Sequence, residues 1–241
     1  MGKRTKYGKE RMERYMDTSL DTPVYYIEGS AGGAGKKIGT LLFELFDNTE
    51  NTFDEVVFLC IGSDRITGDS LGPLIGHRLE KENLSRCCIY GTLDEPVHAL
   101  NLLETVDTMK KEHPNSLTVA IDASLGSKKH QGYVTVGKGS LEPGLGVKKK
   151  LPPVGDISIT GIVNLSGAFE HFLLQTTRLS TVVGLADAIV SGILLAHSQY
   201  FGTRRPSLFT FFHPEEERLR SLAKFTALPA ASAASRPKGS W

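Results

Sequence analysis

The chain has 241 residues, with 28 basic and 27 acidic side chains and a formal net charge of +1. That balance excludes a globally basic nucleic-acid or membrane-surface binder, and the length suits one α/β domain with appendages better than two domains. No apolar run reaches the ~20 residues of a membrane span, and the charged N-terminus lacks the apolar centre of a signal peptide.

Residues 1–22 are polar, without an apolar stripe, and read as a mobile arm preceding a single domain at 23–200. Val24-Tyr25-Tyr26-Ile27 leads into Gly29-Ser30-Ala31-Gly32-Gly33-Ala34-Gly35-Lys36-Lys37, which has the outline of a phosphate-binding loop. Two positions fail: Ser30 stands where the first glycine belongs, and Lys37 replaces the hydroxyl that would hold Mg²⁺. The run is therefore expected to be a link into a helix carrying Ile38, Leu41, Leu42, Leu45 and Phe46, not a nucleotide site.

The central stretch is the apolar run Val56 to Ile61, the turn Gly62-Ser63-Asp64-Arg65-Ile66-Thr67-Gly68-Asp69-Ser70, and a helix opening at Gly72-Pro73. In an open α/β sheet, such a turn lies at the carboxyl end of a strand, where ligands bind. It holds two carboxylates, a guanidinium and two hydroxyls: Asp64, Asp69, Arg65, Thr67 and Ser70. A short strand at Cys87 to Tyr90 and a helix from about Val97 to Lys111, with Leu100 on its apolar face, follow. Leu117 to Ile121 then reads as a second buried strand ending in one carboxylate, Asp122.

Gly132 to Gly137 alternates like a further strand, with antiparallel pairing one possibility. Residues 139–155 form a long loop of the kind that serves as a binding loop or lid; its Lys148-Lys149-Lys150 reads as a solvated run, with steering of an acidic peptide the alternative beside a carboxylate site. Strand 157–163, a helix opening at Gly167, the most apolar helix at Thr181 to Tyr200, and a loosely structured tail over 201–241 complete the reading. Strands alternating with helical crossovers predict a three-layer α/β/α fold on a mostly parallel sheet. Cys60, Cys87 and Cys88 show no metal-ligand spacing and read as buried thiols of a cytoplasmic protein, with Cys87 and Cys88 on opposite faces of their strand.

Three stretches resemble the YyaC-type sporulation proteins: Gly62 to Pro73, Tyr90-Gly91-Thr92-Leu93-Asp94-Glu95-Pro96-Val97-His98-Ala99, and Leu151-Pro152-Pro153-Val154-Gly155-Asp156-Ile157. With Ile121-Asp122-Ala123 they extend over about residues 55–195. More distantly, Asp69-Ser70-Leu71-Gly72-Pro73 and Ile121-Asp122-Ala123 are similar to two segments of the spore germination protease. The resemblance implies a fold shared with hydrogenase maturation endopeptidases. It also implies peptide hydrolysis by the pair Asp69 and Asp122, on substrates such as small acid-soluble spore proteins, in the cytoplasm of a spore-forming cell.

Asp64, Arg65, Thr67 and Ser70 are then expected to support the site or contact substrate. No cofactor, nucleic-acid or membrane partner is expected, and the oligomeric state is not legible. Two alternatives stand beside this: a non-catalytic module that holds a spore protein in the same cleft, and a metal-dependent peptidase of the maturation type. Against the last, Ser166 stands where the maturation enzymes would place a histidine, with His171 on the following helix.

Overall fold

A computed structural model describes residues 12–16 (backbone), 23–143 and 151–202. Contacts divide the chain into Met1–Arg204 and Arg205–Trp241, and every strand and helix named below belongs to the first unit.

The strands are β1 (Met12–Met16), β2 (Pro23–Glu28), β3 (Glu55–Cys60), β4 (Cys87–Tyr90), β5 (Ser116–Gly126), β6 (Tyr133–Lys138) and β7 (Ile157–Leu165). The helices are α1 (Ala34–Asp47), α2 (Leu71–Lys81), α3 (Leu102–Glu112), α4 (Glu170–Gln175) and α5 (Leu179–Phe201), with a 3-10 turn at Thr67–Ser70 before α2. All seven strands join one sheet in the order β1-β2-β6-β7-β5-β3-β4. Pairing is parallel across β4, β3, β5 and β7, and antiparallel at β7–β6, β6–β2 and β2–β1.

The uninterrupted apolar run of β3 is explained by burial on both faces. Val56, Phe58 and Cys60 join the core under α1, α2 and α5, whereas Val57, Leu59 and Ile61 join a second core under α3. The expected three-layer α/β/α arrangement follows. Cys87 packs against the first core and Cys88 against the second, as their alternation requires.

Four sequence expectations are corrected. Met12–Met16, placed in a mobile arm, forms the edge strand β1 through ladder pairing with β2. Strand β5 does not end at Asp122 but runs on to Gly126, because β7 continues to pair with it. The helix expected from Val97 begins only at Leu102. Upstream, the His98 N–H donates to Asn101 Oδ1 (2.8 Å) and Asn101 Nδ2 donates to the Pro96 carbonyl (3.0 Å), closing a turn in place of helix. Leu100 therefore leaves the apolar face and stands 91% exposed. Finally, α5 is long and apolar enough, by length and composition, to cross a membrane. Within this fold Val182, Leu185, Ile189 and Ile193 are buried in the core shared with α1, α2 and the sheet, which accounts for a helix apolar on several sides.

The glycine run before α1 also has a packing explanation. A Cβ on Gly35 would lie 2.6 Å from Ser191 Oγ, and one on Gly39 would lie 2.8 Å from the Gly192 carbonyl, so these glycines let α1 and α5 approach closely. The lysines of the long loop, Lys148 to Lys150, and the tail beyond residue 202 lie outside the described residues.

Candidate functional site

The connectivity of β3, β4 and β5 decides where a site can form. From β3 the chain crosses by α2 on one face to β4. It then returns by α3 on the other face to β5, on the opposite side of β3. The chain leaves the end of β3 toward β4 and the end of β5 toward β6 on the opposite side, and this divergence opens a crevice at their carboxyl ends, where open α/β sheets take ligands.

Asp69 reaches this crevice from the 3-10 turn. The turn folds back so tightly that the Ser63 N–H donates to the Asp69 carbonyl (3.0 Å) and the Asp69 N–H to the Ile66 carbonyl (2.9 Å). Gly62 makes this possible: its φ is 144°, and a Cβ there would sit 2.0 Å from the Asp69 carbonyl oxygen. Gly72 plays a matching part on the helix side, its Cβ position being 2.1 Å from the Ile61 carbonyl. Asp122 arrives from β5. Alternation puts Leu117, Val119, Ile121 and Ala123 in the α1–α2–α5 core, leaving Asp122 with Ala120 on the α3 face.

Both aspartates line one cavity of about 320 Å³. Its floor is Ile61 and Gly62. Ala99 and Leu100 form one wall, Leu174 and His171 of α4 another, and Pro143 and Leu151 close it from the two ends of the long loop. Those loop ends are tied by a bridge between Leu141 and Val154, so the loop expected to act as a lid does border the site.

The electrostatics separate the two carboxyls. Burial pushes the Asp122 pKa well above the ordinary carboxylate range, the neighbouring Asp69 charge pushes it further, and one hydrogen bond from the Ala123 N–H (2.7 Å to Oδ1) opposes them. Asp69 is also raised by burial. A Ser63 backbone hydrogen bond and the charges of His98 and His171 pull it back. The pair thus favours a proton on Asp122 and an ionised Asp69.

The other expected site residues sit elsewhere. Asp64 and Arg65 are exposed, and neither they nor Thr67 and Ser70 line the cavity. Their bonds hold the turn: the Arg65 N–H donates to Ser63 Oγ (3.3 Å) and the Ser70 hydroxyl to the Thr67 carbonyl (2.8 Å). In their place the fold brings in His98, His171 and Leu100, which are distant from the aspartates in sequence. His98 Nδ1 is buried without a hydrogen-bond partner among the described residues.

Two aspartates and two histidines around one cavity invite a metal. Yet among the described residues no three His, Cys, Asp or Glu side chains converge as a metal would require. The cysteines offer no nucleophile here: burial raises the Cys60 thiol pKa far above its ordinary value, and Cys87 is pushed up to about 12, mainly by burial.

The fold and this crevice define an α/β domain with an acidic pair at the switch point of its sheet. Residues 33–192 match the family described as "Protein of unknown function (DUF1256)", and the chain belongs to that family. It is 44% identical over 170 residues to the protein named "Uncharacterized protein YyaC" of Bacillus subtilis (strain 168), covering 70% of this chain and 82% of that one. The YyaC-type resemblance is thereby established.

Proposed function

We propose that this crevice is the centre of an aspartate-pair endopeptidase acting on polypeptide in the cytoplasm of a spore-forming cell, with small acid-soluble spore proteins as the substrate class. The observation that carries the reading is the placement of Asp69 and Asp122 on one cavity, with burial raising both pKa values and the Asp69 charge raising that of Asp122 further. In the reaction, ionised Asp69 takes a proton from water as the water attacks the scissile carbonyl. Protonated Asp122 hydrogen-bonds that carbonyl oxygen as negative charge develops on it. Proton return to the leaving amine completes hydrolysis with no cofactor.

The test is cleavage of a purified small acid-soluble spore protein by wild type, Asp69→Asn, Asp122→Asn and the double variant. Each single substitution is expected to abolish cleavage, and the double to be no worse, since groups acting as a unit are not additive. Cleavage that survives both single substitutions would refute the mechanism.

One observation favours the binding-module alternative. Leu100 is 91% exposed at the cavity rim, and on the segment bearing His171 and Leu174, Phe169 and Phe172 are 83% and 61% exposed. Such an apolar border suits capture of a protein partner as well as its cleavage. Tight binding of the spore protein with no cleavage by wild type would decide for the module.

A further inference from the structure

The nitrogen released in peptide hydrolysis must be protonated as it leaves, because an amide anion is too basic to be expelled. A side chain that gives this proton must line the aspartate cavity, be held in place there, and carry a polarity that the fold does not use for itself. His98 meets all three conditions.

Its position is set by two consecutive N–H groups just past β3. The Gly62 N–H donates to the Val97 carbonyl (2.8 Å), and the Ser63 N–H donates to the Asp69 carbonyl (3.0 Å). A parallel bridge between Ile61 and Val97 fixes the first of these segments further. His98 and Asp69 are therefore tied to neighbouring points of one turn, and both line the same cavity. The His98 N–H donates to Asn101 Oδ1 (2.8 Å), and its carbonyl accepts from the Asn101 (3.1 Å) and Leu102 (2.9 Å) N–H groups, so its backbone is locked. His171, the other imidazole on the cavity, is by contrast exposed on the six-residue helix α4.

Histidines that serve this fold use their ring nitrogens in it. His113 bonds Glu55 Oε1 (2.8 Å) and the Tyr90 hydroxyl (3.2 Å), and His197 Nε2 bonds the Ser85 carbonyl (2.8 Å). His98 Nδ1 is buried with no partner among the described residues, a cost to stability that an apolar side chain of similar size would not carry. His77 Nδ1 shares the feature, but His77 lies off the aspartate cavity and has the Asp94 carboxylate 3.9 Å away. A local conflict of this kind, beside a carboxylate pair, is expected where a residue serves chemistry and not packing.

We infer that His98 is a catalytic residue of this site, the general acid that protonates the leaving amine. The inference deepens the peptidase reading and rests on it. As the C–N bond of the tetrahedral intermediate breaks, its electron pair stays on nitrogen, which takes a proton from the His98 imidazolium. The oxyanion held by Asp122 re-forms the carbonyl. The products are a carboxylic acid and a neutral amine; His98 is left neutral, and Asp69 holds the proton it took from water. Transfer of that proton from Asp69 to the neighbouring His98 restores both groups, so no outside acid is consumed. Burial raises the Asp69 pKa, and the charge of His98 is among those that draw it back, which keeps Asp69 ready as the base. His98 also borders a second cavity of about 790 Å³, which gives the departing half of the substrate room beyond the imidazole.

The test uses full-length protein and the spore-protein sequence that wild type cleaves. A peptide spanning the cleaved bond is made twice, as the amide and as the thioester in which sulfur replaces the scissile N–H. A thiolate leaves without a proton and an amine does not, so only the amide needs the acid. His98→Gln and His98→Phe are compared with wild type, Phe keeping the volume of the ring. In a variant that melts within about 3 °C of wild type, amide cleavage should fall about 10²–10⁴-fold. The loss on the thioester should be at least about tenfold smaller. Asp69→Asn should depress both substrates alike, since each needs activated water.

A folded variant that cleaves the amide within about threefold of wild type would overturn the assignment. So would an equal loss on both substrates, which would make His98 a support for Asp69. Failure of both variants to fold would overturn it too, because the ring would then serve the fold. The two readings fail separately. Wild type that cleaves no spore protein sinks the peptidase and the role of His98 with it, whereas equal amide cleavage by wild type and a folded variant removes His98 alone.

Discussion

Replacing Asp122 by Asn is expected to stabilise the protein at neutral pH. Asp122 is only 7% exposed, it faces the Asp69 carboxyl, and among the described residues its hydrogen bond is to the Ala123 N–H. Each pH unit between the free-carboxyl pKa and the folded one, over which the folded state keeps the proton, costs about 1.4 kcal/mol of stability. Asn keeps an oxygen for the Ala123 N–H, but as a neutral acceptor it forgoes about 1 kcal/mol. The net expectation at pH 7 is a gain in stability, each kcal/mol of it adding roughly 2–4 °C to Tm for a domain of this size.

The pH dependence has a definite sign. Between the free-carboxyl pKa and the raised folded pKa, the folded state holds a proton that the unfolded state has lost. Raising the pH through that window destabilises wild type, and the loss levels off above the folded pKa. The Asn variant lacks this slope at position 122, so its advantage should be small at pH 4 and grow toward pH 7. The groups facing the pair, His98 and His171 beside Asp69, are present in both proteins. Thermal unfolding of both proteins from pH 4 to 7.5 makes the comparison. A Tm for Asp122→Asn below wild type at pH 7, or an identical gap at pH 4 and 7, would refute the assignment of a buried, repelled carboxyl.

Gly62→Ala should cost about 2–4 kcal/mol and abolish cleavage, because φ of 144° and a 2.0 Å approach to the Asp69 carbonyl force the turn open; unfolding and cleavage assays read both effects. Leu100→Ser should leave stability within about 0.5 kcal/mol, since Leu100 is exposed, while weakening spore-protein binding severalfold in a pull-down titration. Calorimetric titration with Mg²⁺ and ATP should show no binding that depends on Lys36, because Gly35 is committed to packing against Ser191. Protein purified without an affinity tag should carry no stoichiometric nickel or zinc by elemental analysis, and near-equimolar metal lost in Asp69→Asn would revive the metal-dependent alternative.

Local sequence was enough to place most elements of this fold and both aspartates. A strand buried on both faces must be apolar at every position, as Val56 to Ile61 is, and a turn that needs φ of 144° writes a glycine at position 62. Short-range rules of this kind act within a few residues, so they survive in the letters. The start of α3 was not legible, because Asn101 closes a turn with Pro96 and His98 whose apolar spacing also fits a helix. Nor was the true length of β5, since pairing with β7 extends it beyond Asp122. The company kept by the aspartates was likewise decided by the tertiary structure. His98 and Leu100 come from one segment, Leu151 and His171 from two others, and only the divergence of the chain where it leaves β3 and β5 brings them to one cavity. The same holds for the unequal pairing of β5: that β3 stops at Cys60 while β7 continues to pair is a relation between strands far apart in the chain, and no single stretch of residues encodes it.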